Sequence, residues 1–168
     1  MKFLIVAFAL LGVSLATGNI EINNVGDDGS DISQNININN QNNVANINNW
    51  NGLNSWDSIC DFGSGFAATR MFSKKICVIT KINPETFPNL TQLRAMAKDK
   101  QYKPSQKMNT YIVNQSTVSN FGEYGKHIES MCKGVPSYTA QEIPSFEEGF
   151  AVCQFNSVFS LIGINLCF

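Results

Sequence analysis

The side chains of this chain best suited to catalysis are its single histidine, His127, and its acidic residues. A catalytic triad needs a nucleophile that is activated by an oriented base. His127 falls on a predicted helix, off the apolar stripe, where a solvated histidine is expected. Glu147 and Glu148 are neighbours in a predicted loop, and adjacency does not make them a glycosidase pair. The sequence therefore predicts no catalytic residue, no enzyme and no cofactor.

The stretch DFGSGF, residues 61–66, superficially resembles a nucleotide-binding loop. A kinase-like DFG has meaning only beside a glycine-rich loop, a catalytic loop and a strand lysine, and none of these motifs occurs. The spacing of Gly63, Ser64 and Gly65 also differs from both phosphate-binding fingerprints. We therefore interpret the stretch as a turn that leads into a strand.

The first 18 residues, MKFLIVAFALLGVSLATG, have the pattern of a secretory signal peptide. Lys2 supplies a positive start, an apolar run follows, and small residues favour cleavage after Ala16 or Gly18. The apolar run is too short to span a bilayer, which takes about 20 residues. We therefore expect a secreted, extracellular protein with no membrane span in its mature form.

Secretion decides how the five cysteines are interpreted, because thiols pair in an oxidising compartment. Cys77 falls on a predicted strand and Cys132 on the inner face of a predicted helix, so a bridge between them would tie the helix to the sheet. Cys153 and Cys167 lie on successive predicted tail strands and form a natural second pair. Cys60 is then left without a predicted disulfide partner. Four cysteines allow three connectivities, so the pairing stays open at this point.

Composition excludes several classes of function. At 168 residues with 43% hydrophobic residues, the chain suits one domain with tails. A net charge of -1 provides neither the basic face that binds nucleic acid nor a polybasic membrane patch. With one histidine and no C-x-x-C pair, a metal site is not expected. Asn89-Leu90-Thr91 and Asn114-Gln115-Ser116 are possible N-glycosylation sites, whose occupancy stays open.

Hydrophobic patterns predict an α+β fold. The asparagine-rich tract QNININNQNNVANINNWNGLNSW suits either a strand or hairpin, or disorder. Residues 66–72 and 76–82 predict a β-hairpin, and residues 108–114 a third strand. PNLTQLRAMAKDKQ predicts one helix, and an apolar stripe from Val118 to Cys132 predicts a second. The runs GFAVCQF and SVFSLIGINLCF predict two tail strands, with a possible turn at Asn156-Ser157, in a mainly antiparallel sheet covered by helices.

The order of Asp61, Phe62, Cys77 and Cys132 resembles the BRICHOS domain, whose signature is one aspartate and two cysteines. The blocks WDSI, GFAATRMFSKKICVI and MCKGVPSY, with NVANINN after a signal peptide, resemble the gastrokines, secreted proteins of the stomach lining. The resemblance implies a mainly antiparallel five-stranded sheet with a helix on either side. It divides the chain into a signal peptide (1–18), an asparagine-rich segment (19–55), a BRICHOS domain (56–150) and a C-terminal apolar β segment (151–168).

The same resemblance implies the roles of individual residues. Cys77–Cys132 would be the disulfide of the domain, and Asp61 its characteristic acid, a scaffold or switch residue. If Asp61 is buried, its pKa would rise and its charge would be lost in mild acid; the alternative is a solvated acid or local cap. Cys60 could be a free thiol, a homodimer bridge or the covalent attachment point of a trefoil peptide.

The function implied is gastric mucosal protection and homeostasis with chaperone-like, anti-aggregation binding of β-prone segments. The bound segment could be the apolar tail, the Asn/Ile tract or another chain. We expect the hairpin 66–82 to carry the binding, through strand addition or packing against a sheet face. The alternative function is an extracellular signalling or mucus partner protein that acts in a complex and has no chaperone activity.

Overall fold

The computed structural model describes residues 18–25, 31–98, 109–143, 156–159 and 164–168. The described strands are β1 (Gly18–Val25), β2 (Asp31–Asn39), β3 (Val44–Trp50), β4 (Trp56–Asp61), β5 (Phe66–Met71), β6 (Ile76–Lys81), β7 (Asn109–Thr117), β8 (Ser137–Ile143), β9 (Asn156–Phe159) and β10 (Ile164–Cys167). The described helices are α1 (Leu90–Lys98) and α2 (Lys126–Cys132), with a 3-10 turn at Gly52–Asn54. None of these helices is long and apolar enough to cross a membrane.

The described strands form one ten-stranded sheet in the order β1-β2-β3-β4-β5-β6-β8-β7-β10-β9. Neighbours are antiparallel except for β6–β8 and β7–β10, which are parallel. The expectation of a mainly antiparallel α+β fold is confirmed, but the expected count of five strands is wrong. Strands β4 to β8 lie within the predicted domain 56–150, and the flanking segments extend the sheet, with β3 pairing β4 and β10 pairing β7.

The asparagine-rich tract is ordered as the hairpin β2–β3. Ile36 lies opposite Ile47, and Ile38 opposite Ala45, and all four side chains are fully buried. Because strand side chains alternate between faces, these residues give the tract a buried face. Burial of an isoleucine contributes about 1.5–3 kcal/mol, which makes a docked hairpin favourable despite the polar composition.

The sheet has two covered faces, which we name after the helices. On the α1 face, Leu93 packs in one core cluster with residues such as Ile36, Cys60 and Val78. On the α2 face, Ile128 and Cys132 pack in a second cluster with residues such as Ile59, Ala68 and Ile79. Adjacent residues such as Ile59 and Cys60 thus belong to opposite faces, as strand geometry requires.

Helix α1 begins at Leu90, inside the predicted run, and residues 99–101 of that run lie outside the described residues. The start of α1 is fixed by a reciprocal cap: the Gln92 N–H donates to Asn89 Oδ1 (2.9 Å), and the Asn89 N–H donates to Gln92 Oε1 (2.8 Å). The predicted second helix from Val118 is wrong over its first half, since α2 begins only at Lys126. The Val118 N–H donates instead to the Ser137 carbonyl (2.7 Å), so this part of the apolar stripe continues the β7–β8 ladder.

The tail differs from its prediction in two respects, and the first is that the run SVFSLIGINLCF, predicted as one strand, contains β10 and most of β9. Asn156 and Ser157 were expected to form a turn, but they lie in β9. Strand β9 pairs antiparallel with β10, which joins β7 in parallel register from Ile164 opposite Asn109. The predicted strand GFAVCQF lies outside the described residues.

Candidate functional site

Asp61 lies at the end of β4 on the α2 face, and its residue surface is only 5% exposed. Its Oδ1 accepts hydrogen bonds from the backbone N–H groups of Gly63 (2.9 Å) and Ser64 (3.0 Å). Its Oδ2 lies 2.9 Å from Nδ1 of His127, at the start of α2. One buried carboxylate therefore joins the end of a sheet strand, the turn after it and the first turn of a helix.

The turn between β4 and β5 holds the carboxylate in place. Asp and Asn side chains favour this arrangement, in which a side-chain oxygen accepts from backbone two or three residues on. The Gly65 N–H donates to the Asp61 carbonyl (2.9 Å), and Gly65 has a φ of 79°, in the left-handed region that glycine adopts without strain. The prediction that DFGSGF is a turn leading into a strand is confirmed, and its glycines serve the geometry of that turn.

Gly125 permits the close approach of α2 to Asp61. It has a φ of 89°, and a Cβ at this position would lie 3.1 Å from the Ser64 Cβ and 3.6 Å from Asp61 Oδ2. A larger residue would therefore push the helix start away from the carboxylate. The expectation of a solvated His127 is wrong: its side chain is 26% exposed and is paired with Asp61.

The pKa of Asp61 is lowered, opposite to the rise expected for a buried acid. Burial alone raises the pKa, and it is the largest single influence. The hydrogen bonds from His127, Ser64 and Gly63, together with the positive charge of His127, outweigh burial and favour the carboxylate form. Asp61 is therefore a buried charge held by its partners, and mild acid does not remove that charge.

The Cys77–Cys132 disulfide ties β6 to the end of α2, with Cα atoms 5.4 Å apart and both residues fully buried. Arg70 adds a second connection between sheet and helix, since its Nη1 donates to the Met131 carbonyl (3.2 Å). Helix α2 is thus fixed at its start by His127 and at its end by a covalent bond. Cys167 is disulfide-bonded, and its predicted partner Cys153 lies outside the described residues.

Cys60 is a free cysteine with a fully buried side chain on the α1 face. Burial raises the pKa of its thiol to about 12, against a smaller opposing effect of Ser58. Since the thiolate is the reactive form, this thiol is poorly placed to attack another chain. A homodimer bridge or a trefoil partner at Cys60 would require the core cluster on the α1 face to open, and that role stays a prediction.

The two possible glycosylation asparagines are both exposed. Asn89 caps α1 through Oδ1, which leaves its Nδ2 free of that cap. Asn114 lies on β7, and its Nδ2 donates to Thr139 Oγ1 (2.7 Å), a bond that a glycan on that nitrogen would alter. Across the described ranges, no group of three His, Cys, Asp or Glu side chains is arranged to hold a metal ion.

Comparison with known proteins places this site within one family. Residues 52–139, which include Asp61, Cys77, His127 and Cys132, match the BRICHOS domain. The chain is 39% identical to Gastrokine-1 of Homo sapiens over 99% of this chain and 97% of that protein. It belongs to the gastrokine family. This gastrokine is also 44% identical to Gastrokine-1 of Sus scrofa (85% of this chain, 83% of that protein) and 35% identical to Gastrokine-3 of Homo sapiens (66% and 64%). No solved structure matches it significantly.

The hairpin expected to bind partners lies in the middle of this gastrokine's sheet. Strands β5 and β6 pair with each other, and their outer edges pair with β4 and β8. Their side chains are largely buried, with Ala68, Val78 and Ile79 each 1% exposed. The hairpin is formed where it was predicted, but a partner could not reach it without displacing a strand or a helix.

Proposed function

We propose that this gastrokine acts outside the cell in the gastric mucosa by binding extended, β-prone polypeptide segments as added strands. Membership of the gastrokine family supports a gastric mucosal, extracellular protein. The finer part of the proposal, chaperone-like binding, draws its support from how the sheet is built.

The observation that carries the proposal is that segments of the chain itself extend both sides of β4–β8. The Asn/Ile hairpin pairs with β4 from Val44 opposite Asp61 to Asn49 opposite Trp56. At the other side, β10 of the apolar tail pairs with β7. Unpaired strand edges are general templates for further strands, and strand addition is a common way to bind extended peptides.

The segments held at these edges are of the kind that needs shielding. Segments with high β-propensity, low charge and no proline form fibrils when exposed, and the hairpin sequences QNININ and VANINNW fit that description. In the sheet, Ile38 and Ile47 are fully buried, at 0% exposure. The same backbone pairing and burial would shield an equivalent segment of another polypeptide.

The proposal is tested by the delay that the protein causes in fibril growth of an unrelated amyloid peptide, at substoichiometric ratio and followed by thioflavin fluorescence. The informative variant is Asn46→Pro, because Asn46 lies in the middle of β3, opposite Asn37 of β2, and loss of its N–H donor weakens the hairpin that covers the β4 edge. Asn46→Thr is the matched control, since threonine keeps strand propensity. We expect the intact protein to delay growth, the proline variant to delay it more by opening the β4 edge, and the threonine variant to match the parent.

The control for this experiment is that each variant still folds. Peptide mapping of Cys77–Cys132 confirms that each variant keeps the domain frame. A protein that leaves the fibril lag unchanged in all three forms would contradict strand capture. An effect that is equal for the proline and threonine variants would place the binding surface elsewhere than the β4 edge.

A further inference from the structure

The α2 face of the β2–β3 hairpin carries a regular array of side-chain amides. Asn35 lies directly opposite Asn48, and Asn37 directly opposite Asn46. All four are half-buried, as expected for residues of a flat sheet surface open to solvent. Trp50 follows Asn46 and Asn48 at alternate positions, so it belongs to the same face. We call these five residues the amide face.

The amides of this face have hydrogen-bonding capacity left over. Within the described ranges, the side chains of Asn35, Asn37 and Asn46 have no hydrogen-bond partner, and only Asn48 has one, donating from Nδ2 to Asp57 Oδ1 (2.7 Å). Each amide offers two donors and one acceptor. The face therefore presents both donors and acceptors to solvent in two rows, spaced about 4.8 Å between strands and about 7 Å along them.

The surroundings leave this part of the sheet uncovered by α2. The apolar cluster under α2 is built from β4, β5 and β6, with residues such as Ile59 and Ala68. The opposite side of β2 and β3 is the buried one, where Ile36 and Ile47 pack in the α1 cluster. The hairpin is thus supported from behind and carries a firm, flat and polar surface in front.

An exposed tryptophan ends this polar surface. Trp50 is 61% exposed, whereas the chain's other tryptophan, Trp56, is 4% exposed. A large aromatic ring in solvent has an apolar surface to cover, and beside polar groups it combines stacking with hydrogen bonding. A solvent-exposed aromatic ring beside amides with free hydrogen-bonding groups is typical of surfaces that bind ligands with one apolar side and several polar groups.

The charge of the face narrows the chemistry of that ligand. Its five side chains are neutral, Asp57 already accepts from Asn48, and the acid Glu21 of β1 lies opposite Asn35 in the β1–β2 register. Phosphate-bearing ligands and anionic lipids need cationic partners, which these residues do not supply. A hydroxyl group both donates and accepts, as an amide does, and a pyranose ring has an apolar C–H side that can stack on an indole.

We propose that the amide face binds a neutral oligosaccharide, with one sugar ring stacked on Trp50 and the neighbouring hydroxyls hydrogen-bonded to Asn46, Asn37 and Asn35. Asn48 is held by Asp57 and orients the row. The site differs from the strand edges of the proposed function, since it uses the side chains of a sheet face.

The test is a titration of the ¹⁵N-labelled full mature protein, disulfides intact, with chitotetraose as the probe. Indole and side-chain NH₂ signals report the face directly. We expect the Trp50 indole signal and the asparagine NH₂ signals of the face to shift in a saturable manner. The indole of Trp56 serves as an internal control, because it lies in the buried α1 cluster.

Variants separate the stacking and hydrogen-bonding contributions. Trp50→Ala should weaken binding about tenfold or more, as expected for loss of a stacked ring. Asn37→Thr removes an amide and keeps strand propensity, and it should weaken binding by a smaller factor. Phe72→Ala is the matched control, since it removes another exposed aromatic (45% exposed) at the β5–β6 turn, and it should bind as the parent does.

Three results would overturn the proposal. The first is the absence of any shift at millimolar chitotetraose. The second is an equal affinity of Trp50→Ala and Phe72→Ala. The third is a shift of the same signals with protein concentration alone, which would assign the face to a second copy of the chain. If Trp50→Ala does not fold, the Asn37→Thr comparison still decides the question.

Discussion

Replacing Asp61 with asparagine removes one buried negative charge and leaves the shape of the turn almost unchanged. The asparagine oxygen can still accept from the N–H groups of Gly63 and Ser64, which now lie 2.9 and 3.0 Å from Oδ1. What is lost is the charged partner of His127 at 2.9 Å. The substitution therefore isolates the charge from the turn geometry.

The size of the effect follows from the bonds that change. Hydrogen bonds to charged groups contribute about 1.5–3 kcal/mol each, and the 26% exposure of the His127 side chain places this bond toward the lower part of the range. We expect Asp61→Asn to lower the free energy of unfolding by about 2 kcal/mol. For a domain of this size that corresponds to a fall in Tm of about 4–8 °C. Asp61→Ala should cost more, because it also orphans the two backbone donors.

The pH dependence has a definite sign. Because the folded pKa of Asp61 is below its usual value, its carboxylate adds stability above the unfolded pKa of about 3.9, and that stability is lost as the pH falls through the lower folded pKa. The difference between parent and Asp61→Asn should therefore be full near neutral pH. It should shrink in strong acid, as Asp61 becomes protonated in both the folded and unfolded parent.

The assay is urea unfolding at pH 6.5 and pH 2.5, with disulfides intact and with His127→Ala as the second arm of a double-mutant cycle. Asp61→Asn should cost less in the His127→Ala background, since the hydrogen bond between the two side chains is then already absent. A variant as stable as the parent at pH 6.5, or a difference that is the same at both pH values, would refute the assignment of Asp61 as a charge stabilised by its partners.

Three further outcomes are expected. Gly125→Ala should lower the free energy of unfolding by about 1–3 kcal/mol, and by more than Gly134→Ala does. Both glycines have a positive φ, but only a Cβ at Gly125 meets neighbouring atoms. Thermal unfolding compares the two variants, and equal losses would exclude crowding at Gly125. Replacing Cys77 and Cys132 together by serine should cost about 4 kcal/mol for a bridge that spans 55 residues, and a loss below about 1 kcal/mol in urea titration would contradict this. Cys60 should react with a thiol reagent only in denaturant, given a pKa of about 12 and complete burial, and native labelling at the denatured rate would show that β4 opens.

Strong local patterns predicted the central part of the fold. The hairpin of β5 and β6 was expected at residues 66–72 and 76–82 and occurs at Phe66–Met71 and Ile76–Lys81. Its two runs are apolar and flank a short polar turn, so local signals and the tertiary structure agree. Strand β8 (Ser137–Ile143) was not predicted, because it mixes serine, threonine and glutamine with few apolar residues and takes its place through pairing with β6 and β7.

The second helix shows how an apolar stripe can mislead. Val118 and Phe121 do pack on the α2 cluster, so the pattern of burial was correctly detected. The backbone that carries them is not helical, because Gly125 adopts a φ of 89° immediately before α2 and Val118 is hydrogen-bonded to Ser137. Buried residues spaced three and four apart are expected in an amphipathic helix. The same spacing also occurs where a strand ends and a turn follows, so the pattern alone does not identify a helix.

The sequence predicted part of the site. Asp61 and the Cys77–Cys132 bridge came from the family resemblance, and the turn at Gly63 and Gly65 from its composition. His127 was missed because 66 residues separate it from Asp61, and a pairing between distant residues has no local signal. The direction of the Asp61 pKa was missed for the same reason, since it depends on donors that only the folded chain brings together.

The parallel pairing of β6 with β8 has a consequence for synthesis on the ribosome. Strands β2 to β6 each pair with the strand before them in the chain, so this half of the sheet can assemble as it emerges. The free edge of β6 then has no partner until β8, whose first residue, Ser137, lies opposite Cys77. At translation speeds of roughly 5–20 residues per second, that edge stays open for on the order of 3–12 s. The nascent chain thus has an apolar strand edge exposed for seconds, and Cys77 on that strand stays unpaired until Cys132 has been synthesised.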